Sequence, residues 1–132
     1  MRSTFRNGTL VNLKNATKSK HFKFIKGDIL KTENIEKAIN KIDAVFHLAC
    51  LGVRHSLHSP FENHKVNAEG SLMMLKAAKK HNVKKFFYIS SSEIYGGVSH
   101  FPISEMSLPK PLTVYGASKL AGENYSLAYN KC

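Results

Sequence analysis

Tyr115-Gly116-Ala117-Ser118-Lys119 sets a phenol and an ammonium four residues apart. On a helix, residues at i and i+4 share one face, so the two groups become neighbours. A free phenol has a pKa of about 10, and a cation beside it stabilises the phenolate. Lys119 would therefore make Tyr115 a usable proton acceptor or donor near neutral pH. Upstream, Ser90, Ser91 and Ser92 follow an aromatic stretch. A hydroxyl from Ser91 could orient a substrate oxygen while Tyr115 moves its proton. A tyrosine and a lysine one turn apart also occur on many solvated helices, so the surrounding elements must bring these groups together.

Those elements are legible as an alternation. Residues 1 to 20 hold Gly8 and many Asn, Ser and Thr residues with little periodicity, and are predicted as loop or weakly ordered chain. From residue 21 to 132 the pattern is that of one α/β domain. His21 to Lys26 alternates apolar and basic residues before Gly27-Asp28, which predicts a first strand ending at a turn. Thr32 is the expected N-cap of a helix whose apolar stripe is Ile35, Ala38, Ile39 and Ile42. Ala44 to Cys50 is a nearly continuous apolar run, as in a parallel strand covered on both faces. A helix is predicted from Pro60 to Asn82, with Ser59 before the proline and Phe61, Val66, Leu72, Leu75 and Ala78 at helical intervals. Lys85 to Ser90 predicts a third strand, which places the serine run at the carboxyl edge of a parallel sheet, where ligands usually bind. Residues 96 to 112 read as loop, and Val114 to Tyr129 as a final helix.

This order predicts a parallel sheet with crossover helices. Doubly wound sheets usually have about five or six strands. Three would leave an edge unpaired and apolar faces uncovered, as in part of a larger domain.

Composition narrows the function classes. Apolar residues make up 42% and charged residues 22%, and no apolar run approaches the roughly 20 residues that span a bilayer. No membrane partner is expected. The polar, basic start has no apolar segment of the secretory type, so a cytoplasmic location is expected. Twenty Lys and Arg against nine Asp and Glu give a net charge of +11, a field that could attract phosphates on a nucleic acid or a nucleotide cofactor. The basic residues are scattered, as at Lys79-Lys80 and Lys84-Lys85, so they read as solvated surface and nucleic acid is not the expected partner. Cys50 and Cys132 read as reduced thiols. His55, His58 and His64 lack a matching set of carboxylates or thiols, so no metal is expected.

Five motifs together resemble the extended short-chain dehydrogenase/reductase family, the NAD-dependent nucleotide-sugar epimerases and dehydratases. They are Gly27-Asp28-Ile29, His47-Leu48-Ala49-Cys50, Val66-Asn67-Ala68-Glu69-Gly70, the serine run with Glu93-Ile94-Tyr95-Gly96, and Tyr115 to Lys119. The resemblance implies a partial Rossmann-like fold. It implies that Tyr115 is the general base or acid, and that Lys119 binds the nicotinamide ribose and lowers the Tyr115 pKa. Ser91 would hydrogen-bond the reacting sugar oxygen. Ser92 and Glu93 would belong to the catalytic set, since the family's dehydratases carry an acidic pair here and its decarboxylases a Ser-Glu pair. Asp28 and Ile29 would contact the adenine, Leu48, Ala49 and Cys50 would line the cofactor path, and Asn67 would support the site near the nicotinamide. By residue type alone, Asp28 also fits a turn, Leu48 and Ala49 a sheet core, and Asn67 a polar helix position. The resemblance further implies a nucleotide-sugar substrate, and pairing of two copies through helices around residues 60 to 80 and 113 to 130.

The sequence departs from that family in several respects. No Gly-x-x-Gly-x-x-Gly turn, whose amides hold the cofactor pyrophosphate, is present, and Arg2 to Gly8 resembles the loop after the family's second strand. The acidic residue that would select NAD over NADP is missing as well, so NAD is the implied cofactor with NADP left open. The resemblance implies further strands and a sugar-binding lobe that residues 1 to 132 are not expected to include. The expectation is the central part of an epimerase or dehydratase, an isomerase or lyase most similar to UDP-glucose 4-epimerase. The isolated chain is expected to bind dinucleotide weakly and to be inactive. The alternatives are a basic nucleotide- or nucleic-acid-binding module and an inactive remnant.

Overall fold

The computed structural model describes residues 10–97 and 101–131; the readings placed on Arg2 to Gly8 and on Cys132 lie outside them. Within residues 10 to 20 the chain forms two short 3-10 turns, Leu10–Leu13 and Ala16–Lys18, neither with a buried residue.

The stretch from Phe22 to Asp28 has no strand partner among the described residues, so the strand expected at His21 to Lys26 is not formed. Alternating residue types specify two faces, but a strand also needs a hydrogen-bonded neighbour. The turn that follows is built by side chains. The Asp28 amide donates to Asn34 Oδ1 at 2.8 Å, and Asp28 Oδ1 accepts from the Leu30 amide at 2.9 Å. This turn delivers the chain into α1 (Thr32–Ile39), where Lys31 holds the N-cap position and Thr32 is the first helical residue. Thr32 is therefore not the cap, because the Asp28–Asn34 turn already orients the entry.

Ile35 and Ile39, one turn apart on α1, are buried, while Ala38 and Ile42 are exposed. With Ala77, Ala78 and the partly buried Val45, Met73 and Phe86 they form the main apolar core.

Two strands, β1 (Ala44–His47) and β2 (Lys85–Tyr88), pair in parallel, with His47 opposite Tyr88. The described residues thus form a two-stranded sheet rather than one of three strands. The apolar run at β1 suggested burial on both faces, but only the face bearing Val45 and His47 is covered. Phe46 is 64% exposed and stacks on Phe87 across the strands, ring centroids 4.5 Å apart. Continuous hydrophobicity marks a strand that can be covered twice; it does not supply the second cover.

The crossover begins with a helix absent from the sequence reading, α2 (Val53–His58). A continuous helical rod follows: α3 (Pro60–His64), a π-helical turn at Lys65–Glu69, and α4 (Gly70–Lys80). It begins at the predicted proline and ends before Asn82, which takes a positive φ of 55° beyond it. The predicted apolar stripe is only half right. Leu75 and Ala78 are buried, whereas Phe61 is 90% exposed. The π turn breaks the 3.6-residue period, so residues before and after it do not share one stripe. The last helix, α5 (Val114–Lys131), packs across α3, α4 and β2.

Candidate functional site

The carboxyl end of β2 runs into the serines. Ser91 caps a 3-10 turn at Ser92–Ile94, its Oγ accepting from the Glu93 amide at 3.3 Å. Ser92 and Glu93 are exposed on this turn, and Ile94 is buried beneath it. Ser90 Oγ is buried without a hydrogen-bond partner in the structure. A cleft of about 330 Å³ opens along the run, lined by Ser90, Ser91, Ser92, Tyr95, Glu105 and Glu123. A larger cleft of about 470 Å³ lies beside Val83 and Tyr129 without the serines in its walls, and neither cleft is lined by Tyr115 or Lys119.

After the turn the chain returns over Gly96. The Lys110 amide donates to Ile94 O at 2.9 Å, and Gly96 has φ of 64° with the Lys110 carbonyl where a Cβ would stand. Gly96→Ala meets both obstacles. It is expected to cost about 2 kcal/mol, read as a lower thermal midpoint of the chain.

α5 carries the other half of the site. Tyr115 sits half-buried in its first turn, and Lys119 one turn later is only 3% exposed. Lys119 Nζ donates to the main-chain carbonyl of Ile89, the residue before the serines, and lies 4.5 Å above the centre of the Tyr88 ring. Burial lowers the Lys119 pKa, opposed by the nearby Cys50 and Glu123. The fold therefore brings Lys119 to the serine run, and packs the turn at Ser92–Ile94 against the helix that bears Tyr115.

The segment after β1 brings Cys50 near Lys119 but does not line the serine cleft. Leu48 is 64% exposed, and Ala49 and Cys50 are half-buried, Cys50 as a free thiol. Asn67, on the π turn, holds the end of this segment. Its Oδ1 accepts from the Leu51 amide at 2.7 Å, and its Nδ2 donates to Leu51 O at 2.9 Å and to Asn63 Oδ1 at 3.0 Å. Asn67→Ala leaves the Leu51 amide without an acceptor and should destabilise the chain by about 2 kcal/mol in urea unfolding. Asn63→Ala should cost less, because Leu51 O keeps its bond from Asn67.

Asp28 and Ile29 do not line the serine cleft. The Asp28 carboxylate is engaged in its turn, and the Ile29 side chain lies against Gly70 at the start of α4. Among the described residues no group of three His, Cys, Asp or Glu could hold a metal, and no helix is long and apolar enough to cross a membrane.

Two features went unread in the sequence. One is a buried polar spine: His47 Nε2 lies 2.9 Å from Ser71 Oγ, which donates to Asn67 O at 2.6 Å, and Asn67 bonds Asn63. Burial, aided by the Lys119 charge, pushes the His47 pKa down to about 4, so the ring is neutral near pH 7. Asn63, Asn67 and Ser71 recur every four residues, a polar stripe that could have signalled it. The other is Tyr88, one of several aromatic residues on its strand, with nothing in residue type to single it out.

The whole chain, residues 1–132, matches the family model described as GDP-mannose 4,6 dehydratase. A Bacillus subtilis protein described as an uncharacterized UDP-glucose epimerase, YtcB, is 34% identical over 92% of this chain and 39% of its own length. The dTDP-glucose 4,6-dehydratase DesIV of Streptomyces venezuelae, solved with NAD and TYD bound, superposes with a TM-score of 0.88 at 25% identity over 94% of this chain and 39% of that one. The UDP-glucuronic acid 4-epimerase of Bacillus cereus, in complex with UDP-glucuronic acid and NAD, has a TM-score of 0.82 and 37% identity over 92% of this chain and 39% of its own. The chain thus spans about two fifths of the length of the curated relatives it matches.

Proposed function

Because the chain belongs to the extended short-chain dehydrogenase/reductase family of nucleotide-sugar epimerases and dehydratases, we propose that residues 21–132 are the part of an NAD-dependent enzyme that moves the substrate proton. The observation that supports this best is the seat of Lys119: a buried ammonium bonded to the Ile89 carbonyl, where the serine run meets the helix bearing Tyr115.

In this reading Tyr115 takes the proton from a sugar hydroxyl and later returns it. Ser91 holds the sugar oxygen, Ser92 and Glu93 border it, and Lys119 offers N–H donors to a ribose. The buried, unpartnered Ser90 hydroxyl, in a residue that lines the serine cleft, is a further candidate donor. Leu48, Ala49 and Cys50 line the cofactor path, Asn67 fixes the end of that segment, and Asp28 and Ile29 meet the adenine. These residues fit the nicotinamide-ribose end of NAD; no Gly-rich turn for the pyrophosphate is among residues 1–132. Bound NAD would supply the hydride acceptor that turns the hydroxyl into a transient ketone.

The reaction proposed is of the UDP-glucose 4-epimerase kind, supported by the epimerases among its relatives. Exposed Leu57, Phe61 and Leu127 on the packed helices support pairing of two copies. The chain alone is expected to bind NAD weakly by calorimetry and to turn over no UDP-glucose. The same segment, exchanged into the Bacillus cereus UDP-glucuronic acid epimerase, is expected to support turnover of that enzyme's substrate. A folded but inert chimera would remove the proposal.

A further inference from the structure

Lys119 presents a problem that Ile89 alone does not solve. Its side chain is nearly wholly buried, and no carboxylate forms an ion pair with it among the described residues. An ammonium out of water needs compensation close at hand. One residue touches it at both ends. The Tyr88 ring lies 4.5 Å beneath Nζ, and the Tyr88 hydroxyl donates to the Lys119 main-chain carbonyl at 3.2 Å. That hydroxyl sits against α5 only because residue 122 is glycine. A Cβ there would overlap the Tyr88 oxygen and ring, with Cε2 at 2.8 Å.

We propose that Tyr88 is the positioning residue of Lys119, its ring face supporting the ammonium and its hydroxyl clamping the helix backbone through the notch at Gly122. The assignment rests on the reading of Lys119 as the ribose-binding cation. Leucine would fill the same core without a ring, so the ring face beneath a charge is what distinguishes this role from packing, the hydroxyl bond serving to hold the ring there. Burial pushes the Tyr88 phenol up to about 12, so it remains a donor throughout the neutral range and does not compete with Tyr115 as a base. Besides Tyr115 one turn earlier on α5, the titratable groups near Lys119 include His47 on β1, Cys50 beyond it, and Glu123 on α5; His47 is neutral, and Cys50 and Glu123 act to raise the Lys119 pKa.

The test is the Lys119 pKa in the full chain, followed through the Nζ chemical shift of isotope-labelled lysine without cofactor or substrate. Tyr88→Phe keeps the ring and should leave the pKa within about 0.3 units of wild type. Tyr88→Leu keeps the apolar burial but removes the ring, and should lower it by about one unit, a tenfold change in proton affinity. Gly122→Ala displaces an intact Tyr88 and should shift the pKa the same way, which decides the matter if Tyr88→Leu fails to fold. A role in packing alone would lower the melting temperature without moving the Lys119 pKa. That result in Tyr88→Leu, or in Gly122→Ala, overturns the proposal. Failure of the folded chimera to bind NAD would instead remove the assignment of Lys119 to the ribose and leave its positioning by Tyr88 standing.

Discussion

Tyr115→Phe, introduced into the active chimera, is expected to lower kcat about 10³-fold while leaving the Kd for NAD within about twofold. The ring of Tyr115 is half-buried at the start of α5, so phenylalanine preserves its packing. Lys119 is held independently, through Ile89 and Tyr88, and would still meet the ribose. Only the proton-bearing oxygen is lost. A fall in kcat without a change in cofactor affinity is the mark of a group that acts in the transition state. Equal weakening of both would show that Tyr115 is a binding residue, and unchanged turnover would take proton transfer away from it altogether.

The second large effect needs no chemistry. His47 is 3% exposed and its pKa is pushed down to about 4, whereas in the unfolded chain it titrates near 6.5. The unfolded state then holds the proton more tightly, so stability is complete above about pH 6.5 and declines as pH falls toward 4. The contribution lost across that window is about 3 kcal/mol. Urea unfolding of wild type and His47→Gln between pH 7 and pH 4 measures it, because the difference cancels the remaining histidines and the exposed carboxylates. Parallel pH dependence in the two proteins would mean that the ring is protonated, or hydrated, in the folded state.

The α/β class and several element positions were legible in the sequence; strand pairing and burial were not. Tyr115 and Lys119 on α5, the serines at the end of β2, and a helix starting at Pro60 stand where their local patterns put them. Such features depend on neighbours in the chain. His21 to Lys26 and Phe46 were misjudged for the opposite reason: pairing and burial are decided by a second element that local pattern does not contain. Thr32 lost the cap position to Lys31, which follows a side-chain turn that joins Asp28 to Asn34, six positions on. The link from Lys119 to Tyr88 joins residues 31 apart in the chain, and only folding makes them neighbours.

The π turn at Lys65–Glu69 also acts as a phase key for everything after it. Each helical residue advances the direction of a side chain by about 100°. A one-residue deletion within this turn would restore an ordinary hydrogen-bond ladder locally, yet swing α4 by that angle. Leu75 and Ala78 would rotate out of the core, and Ser71 away from His47. The helix would gain in regularity and the protein would lose its fit, so this stretch should tolerate substitutions far more readily than changes in length.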